Sequence, residues 1–182
     1  MAKVYVFLAT GFEEIEALTV VDILRRDKIE VVMVSIENED YVTGSHQITV
    51  KADLKYEDAD FVNVDMLILP GGPGHTKLGE CQELMEKVKE FNLSRKRIAA
   101  ICAAPSILGK AGVLIGKKAV CYPGYEEFLQ GATVLKEEVV TDGNVTTSRG
   151  VGTAIPFALE LVKLLDCETE AGAMKSKIIF KQ

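Results

Sequence analysis

Short runs of β-branched and apolar residues recur along this chain, separated by stretches long enough to form helices, and that alternation leaves few folds open to it. Residues 3–9 (KVYVFLA) end at Thr10-Gly11 and suit a buried strand. A helix is predicted over 13–27: Glu13, Glu14 and Glu16 crowd its first turn, where the helix dipole favours negative charge, and Arg25 and Arg26 stand near its end. Residues 30–36 (EVVMVSI) read as a second strand, so the chain opens with a βαβ unit. Segment 47–51 alternates weakly and reads as a small strand or hairpin outside the main sheet. Residues 64–69 form a strong buried strand that runs into Pro70-Gly71-Gly72-Pro73-Gly74. A helix over 82–91, a strand over 97–101, a helical stretch to Lys110 and a strand over 118–121 follow. Segments 134–141 and 145–147 flank Asp142-Gly143-Asn144, a hairpin signal. Residues 152–165 read as an amphipathic helix, and 177–181 as a final short strand. The pattern predicts a three-layer α/β sandwich: a mainly parallel, doubly wound, flavodoxin-like sheet with helices on both faces.

A chain of 182 residues with 48% hydrophobic and 26% charged residues, and no linker-like tract, reads as one domain over 1–182. Its net charge of -6 is not offset by a basic cluster, since Arg25, Arg26 and Lys28 are matched by Asp22, Asp27 and Glu30. Nucleic acid is therefore not an expected partner. The apolar run at the start is too short to span a membrane and carries no cleavage-site pattern, so a cytoplasmic protein without membrane attachment is expected. In that reducing compartment Cys81, Cys102, Cys121 and Cys167, none of them in a CxxC pair, read as thiols. His46 and His75 are far apart in sequence and the cysteines unpaired, which gives a metal site no support.

Ligand crevices of doubly wound sheets lie at the carboxyl ends of the strands. Three unusual segments fall at such ends: 10–16, 70–74 and 102–105. Cys102 stands where a buried strand turns into a helix, with small Ala103 and Ala104 permitting a tight turn and Pro105 suited to the first helical position. A helix N-terminus there favours a thiolate, and so a nucleophile; the plain alternative is a small buried hydrophobe. Gly71-Gly72 lets backbone amides approach a ligand and, with the Ala103 amide, can supply an oxyanion pocket. Among the three glutamates, Glu16 precedes Val20 and Ile23 by helical spacing and can face inward, as can Glu13. His75 follows the glycine loop and can approach the crevice, while His46 lies in the weak strand region; both otherwise read as surface loop residues. Cys121 precedes Tyr122 at a strand end, near the same crevice.

The segments GFEEIE, LPGGPG, AAICAAPS and TSRGVGTA, in this order and spacing, resemble the ThiJ/PfpI superfamily along nearly the whole chain, on the branch of the parkinsonism-associated deglycases. The resemblance implies a class I glutamine amidotransferase-like sheet, no cofactor, and a homodimer. It implies that Cys102 is the reactive, redox-sensitive nucleophile and that Glu16 is a protonated carboxyl hydrogen-bonded to its sulfur. Gly72 and Ala103 then donate the pocket amides, and His46 lies on a dimer-facing hairpin. Members with proteolytic or well-developed glyoxalase sites carry a histidine after the cysteine or on the following strand; Ala103 and Tyr122 stand there instead. A tyrosine is a poor base at neutral pH, which disfavours a protease. Two functions are expected from this pattern: a glyoxalase III or deglycase-like enzyme acting on a small aldehyde or ketoaldehyde such as methylglyoxal, or a redox-sensing, stress-protective protein acting through oxidation of Cys102.

Overall fold

The computed structural model describes residues 2–181. In chain order, β1 (Lys3–Leu8) leads through α1 (Glu14–Arg26) to β2 (Glu30–Ser35), followed by a hairpin of β3 (Tyr41–Thr43) and β4 (Thr49–Lys51) and the short β5 (Leu54–Lys55). Then come β6 (Met66–Leu69), α2 (His75–Glu80), α3 (Gln82–Leu93), β7 (Arg97–Ile101) and α4 (Pro105–Lys110). The chain continues through β8 (Lys118–Ala119), β9 (Thr133–Val134), β10 (Val139–Asp142), β11 (Val145–Ser148), α5 (Ala154–Leu165) and α6 (Glu168–Lys177).

The main sheet has seven strands in the order β10-β11-β7-β6-β1-β2-β5. All neighbours are parallel except β10 and β11, whose antiparallel ladder closes at Asp142 opposite Val145. This is the expected doubly wound sheet. Successive strand residues point to opposite faces, and both faces are covered, which is why β1 reads as an unbroken apolar run. Val4, Val6 and Leu8 pack into one core with Val20 and Leu24 of α1 and Phe157 and Leu161 of α5. Tyr5 and Phe7 join the opposite core, with Leu84, Val88 and Phe91 of α3 and Ile107 and Leu108 of α4. The strand order reverses between β1 and β6, so their carboxyl ends open a crevice beside that of β7.

Four local expectations are corrected. Residues 177–181 form no strand; α6 runs to Lys177, with Glu168 and Glu170 in its first turn, Lys175 and Lys177 in its last, and Ala171 and Met174 buried at helical spacing. The strand expected over 118–121 shortens to β8, which pairs with β9 outside the main sheet. Side chains of the β10–β11 hairpin take its amides: Lys118 N donates to Asp142 Oδ2 at 2.8 Å and Val120 N to Thr147 Oγ1 at 3.0 Å. Of the strand expected over 134–141, only 139–141 joins the main ladder, as part of β10, while Val134 pairs with Ala119 of β8. The residues after the glycine loop form the unforeseen α2, and Cys81 is the junction between α2 and α3. No helix of the described residues is long and apolar enough to cross a membrane.

The β3–β4 hairpin is held against the start of α1 by one carboxylate. Glu14 Oε1 accepts from His46 N at 2.6 Å, and Oε2 accepts from Ser45 Oγ at 3.1 Å and meets His46 Nδ1 at 2.9 Å. A Cβ on Gly44 would overlap the Glu14 carboxyl, so glycine is required at that approach. Burial opposes the charge of Glu14, but the bonds from the His46 side chain and amide prevail and hold its pKa down at about 2. The Glu14→Ala variant is expected to lose on the order of 2 kcal/mol in urea unfolding at pH 7, because buried donors lose their charged acceptor. A depressed carboxylate stabilises above its unfolded-state pKa, so the difference between wild type and variant should shrink as pH falls from 4.5 towards about 2.

Candidate active site

Three strand ends deliver three groups to one point. After β1, the Gly11–Phe12 turn starts α1 with Glu13 as its N-cap, whose Oε2 accepts from Glu16 N at 2.8 Å. That cap leaves Glu16 one turn into the helix on its inner face, fully buried. After β6, Gly71 and Gly72 pass directly beneath it, and Gly71 N donates to Glu16 Oε2 at 3.0 Å. After β7, Cys102 takes φ +65°, a left-handed conformation that costs a non-glycine residue on the order of 1 kcal/mol. Two bonds impose it: Cys102 N donates to Ser148 O at 3.0 Å, and Cys102 O accepts from Tyr122 N at 2.8 Å.

Glycine is obligatory at the meeting point. A Cβ on Gly71 would lie 2.6 Å from both Cys102 Cβ and Glu16 Oε2, and 3.1 Å from Cys102 Sγ. At Gly72, φ is +84° and a Cβ would lie 2.5 Å from Glu13 N. The backbone amides of Ala103 and Gly72 and the carboxyl of Glu16 all lie beside the Cys102 sulfur and act on its titration. Each amide is aimed by the carbonyl of its own peptide: Gly71 O accepts from Glu13 N at 3.0 Å, and Cys102 O from Tyr122 N. Cys102 remains partly accessible.

Electrostatics make the thiol and the carboxyl one unit. Burial pushes Glu16 up to about 7, against the bond to Cys102 and the Gly71 amide, with the charge of Glu13 adding to the rise. Burial pushes the Cys102 thiol up to about 12, and the charge of Glu16 beside it contributes next. Burial thus opposes the acidifying effect expected of a helix N-terminus, and α4 is short. Two negative charges do not fit this space, so the pair holds one near neutrality. Two amides lower the thiol, those of Ala103 and Gly72; the carboxyl accepts from one, at Oε2, while Oε1 is buried without a partner. That difference favours sulfur as the seat of the single charge, whereas burial and the neighbouring carboxylate oppose it.

The other candidate residues divide. Tyr122 is half exposed and lies against Gly150, where a Cβ would stand 3.3 Å from Tyr122 Cδ2 and 3.8 Å from Glu16 Oε1. Ser148 and Gly150 thus belong to the site although the residues alone did not single them out; their only signal was the TSRGVGTA segment. His75, for which the sequence leaves open both an approach to the crevice and a surface loop, is buried as the first residue of α2, and its Nδ1 bonds Gly72 O at 2.8 Å. His46 is exposed and tied to Glu14, away from the sulfur. Cys121 is buried, and burial lifts its thiol to about 11; Cys167 is exposed. Glu13, Glu14 and His46 offer ligand atoms within 4.8 Å of one another, but the hydrogen bonds on Glu14 already satisfy its oxygens.

A family model for the DJ-1/PfpI family matches residues 2–164. Protein DJ-1 homolog B of Arabidopsis thaliana is 37% identical over 98% of this chain, which spans 42% of that relative's length. Deglycase PfpI of Pyrococcus furiosus is 33% identical over 90% of this chain and 99% of its own length. The structure of oxidized DJ-1 from Toxoplasma gondii superposes with a TM-score of 0.95 at 33% identity, covering 100% of both chains.

Alkylation of Cys102 by iodoacetamide across pH tests where the charge sits. Glu16→Gln keeps a donor to the sulfur and is expected to stay within about threefold of wild type at pH 7, whereas Glu16→Leu removes it and should react about tenfold more slowly. Faster reaction of Glu16→Leu at pH 7 would locate the charge on the carboxylate instead.

Proposed function

This chain belongs to the DJ-1/PfpI family, and from that premise we propose that it is a cysteine-dependent, cofactor-free enzyme acting on small reactive carbonyls, converting methylglyoxal to lactate in the manner of a glyoxalase III or deglycase. The observation that carries the reading is the convergence of the Gly72 and Ala103 amides and the buried Glu16 carboxyl on the Cys102 sulfur. The relative named as a deglycase supports the same class.

In the proposed reaction the Cys102 thiolate adds to the aldehyde carbon and forms a carbon–sulfur bond. The former carbonyl oxygen takes the negative charge and is held by the Gly72 and Ala103 amides. Glu16 supplies its proton to the neighbouring ketone oxygen, and as carboxylate removes the hydrogen from the carbon attached to sulfur, giving an enediol. It returns that proton to the adjacent carbon, leaving a thioester of the 2-hydroxy acid. Water cleaves the thioester, so that one methylglyoxal and one water become lactate and Cys102 is restored. A carboxyl whose pKa lies near 7 suits this shuttle, being able both to hold and to yield the proton near neutrality. Tyr122 and Gly150 wall the slot beside Glu16 and favour small substituents on the carbonyl.

One observation favours a second reading, a redox-sensing, stress-protective protein. The residues beside the sulfur are Ala103 and Tyr122, so no histidine stands there as a base to speed turnover. The thiolate would consume two molecules of peroxide to become a sulfinate, releasing two of water, and protonated Glu16 would donate to a sulfinate oxygen. A relative of known structure is described as oxidized. Under either reading the protein acts in the cytoplasm, without nucleic acid or membrane.

Two measurements bear on these readings. Wild type with methylglyoxal and no glutathione is expected to form lactate, and Cys102→Ser to form it at the uncatalysed rate; equal rates exclude the enzyme. If, in addition, mild peroxide adds two oxygen atoms to Cys102 by intact mass, the second reading holds; no selective addition excludes it. The assembly is expected to be a homodimer, for which exposed Ile15 on α1 and Tyr41 and Ile48 on the hairpin offer an apolar face. Light scattering should give twice the 19.9 kDa chain mass for wild type, and Ile15→Glu should shift the protein towards the monomer.

A further inference from the structure

Gly72 and Ala103, the two residues whose amides face the sulfur, share a second feature. The carbonyl of each is held by the side chain three positions further on. Gly72 O accepts from His75 Nδ1 at 2.8 Å and from His75 N at 3.0 Å. Ala103 O accepts from Ser106 Oγ at 2.6 Å and from Ser106 N at 3.1 Å. Both side chains are buried, with His75 9% and Ser106 2% exposed, and both line one cavity of about 310 Å³ behind the site, between α2, α3 and α4. A carbonyl oxygen only accepts, so Nδ1 of His75 carries the proton in this bond.

These bonds complete a symmetrical arrangement. The peptide that presents the Gly72 amide is pinned from upstream by Glu13 N on Gly71 O, and the Gly72 carbonyl is pinned from downstream by His75. The peptide that presents the Ala103 amide is pinned from upstream by Tyr122 N on Cys102 O, and the Ala103 carbonyl from downstream by Ser106. The downstream bonds matter most at Gly72, which has no side chain to restrict its backbone and is followed by Pro73, whose nitrogen donates nothing. His75 is itself fixed by an edge-on contact with Tyr125 at 5.4 Å, and Tyr125 packs against Tyr122 at 6.5 Å, so the ring is braced by the wall of the site.

We propose that His75 and Ser106 are positioning residues for the anion pocket: by fixing the carbonyls of Gly72 and Ala103 they keep both amides on the sulfur and set how much thiolate Cys102 carries. The inference rests on Cys102 being the reacting group, but it requires no turnover and names no substrate. Neither residue touches the sulfur; each acts through the backbone of the donor. The two clamps act on different amides, so their effects should add.

The test is the pH dependence of Cys102 alkylation by iodoacetamide in the full chain, with circular dichroism and a melting curve for each variant. His75→Leu and Ser106→Ala are each expected to move the alkylation midpoint up by about half to one pH unit, which slows reaction at pH 7 about three- to tenfold. His75→Asn places an amide N–H where Nδ1 stood, and Ser106→Thr keeps the hydroxyl; both should return to within about twofold of wild type. A merely structural role would lower the melting temperature without moving the midpoint. Should His75→Leu fail to fold, Ser106→Ala, which removes a single oxygen atom, decides the matter. The proposal is overturned if folded Ser106→Ala or His75→Leu titrates as wild type does, or if Asn and Thr fail to restore the midpoint. If instead wild-type Cys102 itself titrates like a free cysteine, it is the nucleophile reading that falls.

Discussion

Everything at this site depends on a space too small for one methyl group. Glu16, Cys102 and the Gly71 backbone meet so closely that a Cβ at Gly71 would fall 2.6 Å from atoms of both side chains. That contact joins the ends of three strands, and each partner is brought to it against some local preference. A carboxyl is fully buried with one oxygen unpaired, and a cysteine is bent into a left-handed turn. Such costs, on the order of 1–3 kcal/mol each, persist only where the surrounding structure over-determines the geometry. Here it does so through the backbone bonds from Tyr122, Ser148 and Glu13 and through the two covered faces of the sheet.

Much of this was legible in the residues, for identifiable reasons. Strands covered on both faces must be apolar throughout, so β1, β6 and β7 could be read without knowing their order. Positions 71, 72 and 102 announced themselves because glycines and a cysteine at strand ends have few other uses. The rest was set by partners distant in sequence. Periodicity gave Glu13 and Glu16 equal claim to face inward; the fold separates them because the Glu13 side chain turns back to cap the helix. The length of β8 was decided by Asp142 and Thr147, and the burial of His75 by Tyr125 and the Gly72 carbonyl, none of which local pattern can foresee. The end of the chain misled because Lys177-Ile-Ile-Phe-Lys invites a strand, whereas charge at the two ends of α6 and the buried Ala171 and Met174 favour a helix.

What favours an anion on the sulfur, against burial, is backbone amides rather than a helix end. α4 is only six residues long, and its dipole is a weak source compared with two N–H groups directed at the sulfur. The amides work because their peptides cannot rotate, and for that reason carbonyl partners on the far side of those peptides belong to the chemistry as much as the donors do. The position of Tyr122 has a double character in this light. Its ring bounds the slot beside Glu16, while its amide holds the carbonyl of Cys102. A substitution there changes the first property and spares the second.

The first turn of α1 carries three carboxyl groups with three unrelated duties: Glu13 closes the helix, Glu14 anchors the hairpin, and Glu16 attends the sulfur. Their environments drive Glu14 down to about 2 and Glu16 up to about 7. Mild acidification therefore discharges the thiol–carboxyl pair while the hairpin anchor keeps its full grip. Between pH 7 and the ordinary carboxylate range the charge beside the sulfur can change without loosening the hairpin, because Glu14 and Glu16, two positions apart on one helix, sit in opposite surroundings.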